Sequence, residues 1–291
     1  MSVSSQSAGS SGPWKGWIGY GPNTHSYSGL QHLWNYTEDE ERPAGSTAVH
    51  PDHLVGRLGA MAALAGLIHR ERAGTGSHYD IAQFETPINL MADLFAQESL
   101  EPGSVRPTGN ASTRGAPWSC LPCAGDDEWC VINVRSDTEW RRLREAIGDP
   151  AWAADPALDT ASGRKARRAA IDEGLTAWMR ARTPREVMET LQGVGVPAGI
   201  VAHPGHHLSD PQLQHRGYAK LVVQPGYESI VVEGPPFLGS DLPEPIVAPA
   251  PLLGEHTREI AREILGLSDG EIQALIDEGV IEDPPKKFKL L

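Results

Sequence analysis

The sequence predicts an α/β fold that is followed by a smaller α+β domain, and three observations predict it. Residues 60–72 contain no proline and are rich in Ala, Leu, Met and Ile, which favours a helix. Residues 79–84 come shortly after this run and are typical of a short strand that leads into a second helix. Residues 118–134 are typical of two strands joined by a turn, and three helical segments come after them.

The central helix is the element around which the prediction is built. Leu58, Met61, Ala62, Ala65 and Ile68 recur at the three-and-four spacing of one helix face, so a mostly buried helix is expected. Asp52 stands just ahead of this run, and the glycines at 74 and 76 close it. We therefore expect Asp52 at or near the N-cap. Its carboxylate there either only caps the helix or also takes part in catalysis.

The remaining elements follow in chain order. A strand is expected at 2–7, a short helix at 23–36, an acidic loop at 37–45 and a helix at 85–99. Helices are also expected at 137–147, 165–182, 184–192, 255–265 and 269–278, with strands between 219 and 232. The basic run at 164–168 is interpreted as a solvated helix face. Composition shifts divide the chain into residues 1–105, 106–217 and 218–291.

Charge and composition exclude several classes of function. The 291-residue chain carries a formal net charge of −13, which disfavours nucleic acid or an anionic membrane as a partner. No apolar run reaches the roughly 18 residues of a membrane helix. Residues 1–12 lack the pattern of a secretory signal, so a cytoplasmic location is expected.

Three cysteines raise the question of a metal or redox site. Cys120 and Cys123 have metal-like spacing, and a histidine cluster at 203–207 lies downstream. The sequence holds no second cysteine pair, so we expect small buried side chains along a strand pair and no metal site.

The central stretch also carries a family resemblance. Asp52, Gly56, an Ala-rich helix, the R-x-G-x-G motif at 72–76 and a short strand holding Asp80 resemble the core of family III CoA-transferases. This is the CaiB/BaiF group, which includes the formyl-CoA transferases. The resemblance continues through segments 148–160, 195–201, 210–217 and 250–257, and it covers most of residues 3–281.

The resemblance implies a fold, an activity and a nucleophile. It implies a Rossmann-like large domain, incomplete in this chain, a small α+β domain and an interlocked assembly. Asp52 would be the catalytic nucleophile that carries CoA between an acyl-CoA and a carboxylic acid through an aspartyl-CoA intermediate. Coenzyme A would then be a substrate, and no separate cofactor is expected.

The same resemblance suggests residues that contact CoA. Tyr20 coincides with a tyrosine near CoA in formyl-CoA transferases, although the flanking Lys and Glu are replaced by Ile18 and Gly21. Those enzymes have a glycine-rich mobile loop, which falls here at Gly109, Asn110 and Gly115. Of the run of glycines in that loop, this sequence keeps only Gly115. The alternative for this segment is an ordinary flexible linker.

The resemblance leaves open how the chain works. Relatives carry a large N-terminal segment that would precede this sequence, so a second subunit supplying that half is expected, with two copies of each chain. A truncated chain or a decayed gene is the alternative. One rival function is an α-methylacyl-CoA racemase. The positions of its histidine and aspartate hold Tyr20 and Gly21 here, and His25 could replace the histidine only if its loop were re-aimed. The other rival is a non-catalytic CoA-binding subunit.

Overall fold

The computed structural model describes residues 1–36, 49–227 and 229–283. The acidic loop predicted at 37–45 and the tail from 284 lie outside this range. The chain groups into two compact units, Met1–Val201 and Ala202–Leu291. The three-part division at 105 and 217 stays a prediction.

The first part of the chain is a layer of helices beside two parallel strands. The elements are β1 (Ser2–Gln6), α1 (Gly21–Tyr27), α2 (Leu30–Leu33), α3 (His50–Ala73), β2 (His78–Ala82), α4 (Glu85–Leu90) and α5 (Ala92–Leu100). β1 and β2 pair in parallel, with Val3 opposite Tyr79. The strands predicted at 2–7 and 79–84 are confirmed within two residues. The single helix predicted at 85–99 is divided at Met91.

Helix α3 is longer and more exposed than the sequence predicted. It spans 24 residues and ends at Gly74, whose left-handed backbone (φ 70°) suits glycine. Its buried residues are Pro51, Val55 and Gly66. The expectation of a mostly buried helix is wrong, because Met61 is 65% exposed and Leu64 is 62% exposed. The two described strands of the sheet cover one narrow stripe of the helix. The spacing of apolar residues along the sequence cannot show whether another surface covers the remaining apolar side chains.

Residues 118–200 have their own sheet and core. Strands β3 (Trp118–Pro122), β4 (Trp129–Asn133) and β5 (Ala198–Ile200) form an antiparallel sheet in the order β3-β4-β5. The predicted hairpin turn is confirmed, with Gly125 and Asp127 at positive φ. The helices are α6 (Asp137–Ala146), α7 (Ala161–Ala166), α8 (Arg168–Met179) and α9 (Pro184–Gly193), with 3₁₀ turns at Ala151–Ala154 and Pro156–Asp159. One continuous core of apolar side chains joins sheet and helices.

The three cysteines lie on or beside this strand pair, as predicted. All three are free thiols, and Cys130 pairs in register with Leu121. Burial raises the pKa of Cys123 to about 11 and that of Cys130 to about 12. Since the thiolate is the reactive form, these side chains are inert core residues at neutral pH.

Arg164 corrects the interpretation of the basic run as a solvated face. Its side chain is fully buried, and the guanidinium donates to the carbonyls of Ala116 at 2.7 Å and Leu158 at 2.9 Å. It also pairs with Asp137 at 2.8 Å. The residue ties the connection before β3 to α6 and α7, which charge counting along the sequence cannot reveal.

The second unit is built from short elements. They are α10 (Pro204–Ser209), α11 (Pro211–His215), the antiparallel pair β6 (Ala219–Val222) and β7 (Ile230–Glu233), α12 (Thr257–Glu263) and α13 (Asp269–Asp277). The predicted capping box of α13 is confirmed, since Ser268 and Glu271 bond reciprocally. Across the described residues, every helix is too short or too polar to span a bilayer.

Candidate active site

Asp52 lies in the first turn of α3. The helix begins at His50 and its N-cap is Val49, so Asp52 lies near the N-cap, as predicted, but three residues past the cap itself. Pro51 explains the earlier start, because proline fits the first turn, where the backbone N–H groups have no partner in the helix. The half-buried carboxylate still lies at the positive end of the helix dipole.

Two residues hold the carboxylate of Asp52. The Gln83 side-chain amide donates a hydrogen bond to Oδ1. Gly21 packs against the other oxygen so closely that a Cβ there would lie 2.6 Å from Oδ2 and would also overlap Val49. The structure therefore brings the predicted residues Gly21 and Asp52 together, and it shows that a side chain at position 21 would displace the carboxylate.

Gln83 was missed from the sequence. It follows directly after β2, at the junction between a parallel strand and a helix. Polar side chains at the carboxyl ends of parallel strands commonly reach a functional site, and that position is the signal that could have identified it.

Two imidazoles pack beside this turn. The rings of His25 and His50 lie 5.8 Å apart, and Trp34 stacks on His50 at 5.1 Å. Burial, and then the nearby His50, lowers the pKa of His25 from its usual 6.5. Among the described residues, Nε2 of each imidazole has no hydrogen-bond partner. His25 is therefore a neutral, buried base about one helical turn along α1 from Gly21.

Gly109 and Asn110 come together in a cleft beside α2 and α5. The cleft has a volume of about 650 Å³, and its walls include Leu33, Trp34 and Leu94. Because Trp34 also stacks on His50, one side chain separates the cleft from the turn that carries Asp52.

Tyr20 and Gly115 lie in other environments. Tyr20 is 74% exposed and forms the N-cap of α1, with its backbone N–H donating to Asn23 at 3.2 Å. Gly115 is buried, and a Cβ there would overlap the carbonyl of Val134. Packing alone accounts for glycine at 115, and contact of either residue with CoA stays a prediction.

The arrangement can support nucleophilic attack by a carboxylate. One oxygen of Asp52 is held by an amide donor, and the other packs against Gly21. The helix N-terminus stabilises negative charge by about 0.3–1 kcal/mol. His25, a neutral imidazole about one turn along α1 from Gly21, is a candidate for proton transfer.

Several known proteins resemble this chain over most of its length. The chain is 38% identical to a protein named a probable CoA-transferase in Mycobacterium tuberculosis, over 96% of this chain and 36% of the relative. It is 30% identical to a succinyl-CoA–D-citramalate CoA-transferase of Chloroflexus aurantiacus, over 94% of this chain and 67% of the relative. A CAIB/BAIF family protein from Brucella suis superposes with a TM-score of 0.77 at 26% identity, covering 90% of this chain and 67% of that one.

The chain thus spans about a third of one relative's length and two thirds of the others. The mixed α/β fold is that of the CaiB/BaiF structure. Residues 2–257 match the family described as CoA-transferase family III, and the chain belongs to that family.

Proposed function

We propose that this chain carries the nucleophile of a CoA-transferase, which moves CoA from an acyl-CoA to a carboxylic acid. One observation carries the proposal: Asp52 sits at a helix N-terminus with one oxygen bonded to Gln83 and the other against Gly21. Membership of the family supports CoA transfer in general. The relative named for succinyl-CoA and D-citramalate is a precedent for transfer between two acids.

The proposed reaction proceeds through two covalent steps. An oxygen of the Asp52 carboxylate attacks the thioester carbonyl, and the C–S bond breaks to give a mixed anhydride and CoA thiolate. The thiolate then attacks the aspartyl carbonyl, which releases the donor acid and leaves CoA on Asp52 as a thioester. The acceptor carboxylate repeats these steps in reverse and departs as the new acyl-CoA. Division of one difficult exchange into easier steps is covalent catalysis.

The neighbouring residues have distinct roles in this scheme. The Gln83 amide orients the carboxylate, so that the attacking oxygen is presented in one rotamer. Gly21, which has no Cβ, allows Oδ2 to lie against the start of α1.

Replacement of the nucleophile tests the function. Asp52→Asn is expected to lower CoA transfer by at least about 10³-fold, because the amide cannot form the anhydride. Asp93→Asn is the matched control, since Asp93 is the exposed first-turn acid of α5. Equal transfer by Asp52→Asn and the wild type, measured with radiolabelled acceptor acid, would favour a non-catalytic CoA-binding subunit.

We also infer that a second polypeptide completes the assembly, with two copies of each chain. The exposed apolar face of α3 supports this, because Met61, Leu64 and Ile68 are each about half exposed or more. Soluble proteins seldom leave so many large apolar side chains together on one face. Such a partner would also contribute to the acyl-CoA site.

A racemase is the second candidate, and the position of His25 favours it. A buried neutral imidazole about one helical turn along α1 from Gly21 could complete the pair of bases that α-proton exchange needs. Incorporation of deuterium at the α-carbon of an acyl-CoA, in D₂O and without an acceptor acid, would identify this activity. Transfer without exchange would exclude it.

A further inference from the structure

The cleft beside α2 and α5, lined in part by Leu33, Trp34, Met91, Leu94 and Asn110, has no assigned role. We propose that this cleft binds the acyl group of the substrate, and that the preferred acyl group is an uncharged hydrocarbon chain. The inference rests on the proposed CoA transfer at Asp52 and names its substrate class.

The walls of the cleft have the chemistry of an acyl pocket. Its volume of about 650 Å³ lies within the range of roughly 300–1,000 Å³ typical of small-molecule sites. Leucine, methionine and aromatic side chains form most of its lining, and Asn35, Asn110 and the hydroxyl of Tyr36 provide its polar groups. An alkyl chain placed there would leave water for an apolar surface, which is the main driving force for binding such groups.

The charges around the cleft disfavour an acidic acyl group. Among the described residues that line it, none carries a charge. A buried carboxylate without a cationic partner is unfavourable, and the two asparagine amides in the lining offer it only neutral donors, so a dicarboxylic acyl group is disfavoured here. The cleft is therefore expected to prefer a neutral acyl group over one that carries a second carboxylate.

A second cleft extends the apolar surface. It measures about 400 Å³, shares Leu33, Met91 and Leu94 with the first, and adds Phe95. The one carboxylate in its lining is Glu98, whose oxygens accept N–H bonds from Gly103 at 2.6 Å and Val105 at 3.1 Å. A negative charge at this end repels a second carboxylate and accepts a longer neutral chain.

The location of the cleft fits an acyl chain that starts at Asp52. Trp34 forms part of the wall and stacks on His50 at 5.1 Å. His50 and Asp52 belong to the same first turn of α3. An acyl chain whose thioester carbonyl lies at Asp52 would therefore have to pass the Trp34 ring to enter the cleft.

A matched pair of substrates tests the proposal. Butyryl-CoA and succinyl-CoA have the same number of acyl carbons and differ in a terminal methyl or carboxylate. Labelling of Asp52 is measured as the hydroxamate that forms when hydroxylamine traps the covalent intermediate. With the full chain, together with any partner that co-purifies, the rate of this labelling is expected to be at least about tenfold higher with butyryl-CoA than with succinyl-CoA. From acetyl- to butyryl- to hexanoyl-CoA, labelling efficiency should rise by about fourfold per methylene, the increment for burying one CH₂. Equal or faster labelling with succinyl-CoA would overturn the proposal and leave CoA transfer intact.

Binding measurements separate failure of the two proposals. If no acyl-CoA labels Asp52, the proposed function fails, and calorimetry of butyryl- and succinyl-CoA on Asp52→Asn decides the cleft on its own. Tighter binding of butyryl-CoA supports the cleft as an acyl site. Equal affinity, or tighter binding of succinyl-CoA, overturns it.

Variants of α5 connect selectivity to the cleft. Leu94→Trp fills the cleft and should abolish the preference for hexanoyl- over acetyl-CoA. Leu100→Trp is the control, because Leu100 is on the same helix and 82% exposed. Unchanged selectivity in Leu94→Trp would mean that a chain segment or partner subunit, and not the acyl group, occupies the cleft.

Discussion

At the scale of single residues, the site depends on three side-chain positions whose roles differ. In the proposed reaction, Asp52 supplies the reacting oxygen, Gly21 allows the carboxylate to lie against the start of α1, and Gln83 supplies orientation. Asp52 could be predicted, because a first-turn acid and a family motif are visible in the sequence. The contacts of Gly21, Gln83 and His50 with this turn could not, since they form only on folding, although the place of Gln83 after β2 is a signal for a functional side chain.

Gln83 is expected to act as a positioning residue. Gln83→Leu removes the donor to Oδ1 and frees the carboxylate to change rotamer, which should lower kcat by about 10- to 100-fold. The KM for acyl-CoA should change less than about twofold, because Gln83 is assigned no contact with substrate. Gln97→Leu, which removes an exposed hydrogen bond to Ser104, is the control.

A structural role for Gln83 alone predicts a different outcome. Loss of thermal stability together with a proportional loss of folded enzyme, at unchanged kcat per folded molecule, would contradict the positioning role. Partial recovery of kcat in Gln83→Asn or Gln83→His, each with an N–H donor, would support it.

His25 makes stability depend on pH. Burial lowers its pKa below the usual 6.5, so the unfolded chain binds a proton more readily than the folded one. Stability from this group is complete above pH 6.5 and is lost as pH falls through the lower, folded pKa. His50 on α3 is the facing titratable group, and its charge acts in the same direction.

Urea unfolding between pH 7.5 and 5 measures this effect. The wild type is expected to lose stability as the pH falls, and His25→Gln should show a shallower decline over that interval. His53→Gln is the control, because His53 is exposed on α3. Identical pH profiles for the wild type and His25→Gln would contradict the assignment.

At the scale of elements, periodicity predicted where helices and strands lie but not what covers them. Helix α3 illustrates this difference, since its apolar spacing was correct and its expected burial was wrong. Arg164 shows the converse, because a basic run that is normally exposed contains a fully buried guanidinium. Burial depends on neighbours distant in sequence, and no local pattern records them.

The exposed face of α3 is expected to be an assembly surface. Met61→Lys combined with Leu64→Lys should leave the thermal stability of the isolated chain nearly unchanged, since both side chains are more than 60% exposed. The same change should reduce the mass of the assembly in light scattering, because lysine is unfavourable in an apolar interface. Glu71→Lys, near the end of α3, is the control. An unaltered assembly mass in the double variant would contradict this role.

At the scale of the whole molecule, the sequence predicted the family and a mixed α/β fold, and comparison confirmed these two points. The Rossmann-like large domain and the interlocked assembly stay predictions. Motifs spread over most of the chain identified the family, because each reflects a local backbone requirement. Substrate and partners could not be predicted in the same way. They depend on which surfaces meet, and the uncharged cleft beside Trp34 became visible only in three dimensions.

The central claim is that Asp52 carries CoA as a covalent thioester. Incubation with acyl-CoA, a hydroxylamine quench and peptide mass spectrometry test it most directly. If Asp52 carries CoA, hydroxylamine will form a hydroxamate on the peptide that contains Asp52. This product should be absent from Asp52→Asn and still present in Asp93→Asn. A hydroxamate on another acidic residue, or transfer of CoA at full rate with Asp52 unmodified, would contradict the account.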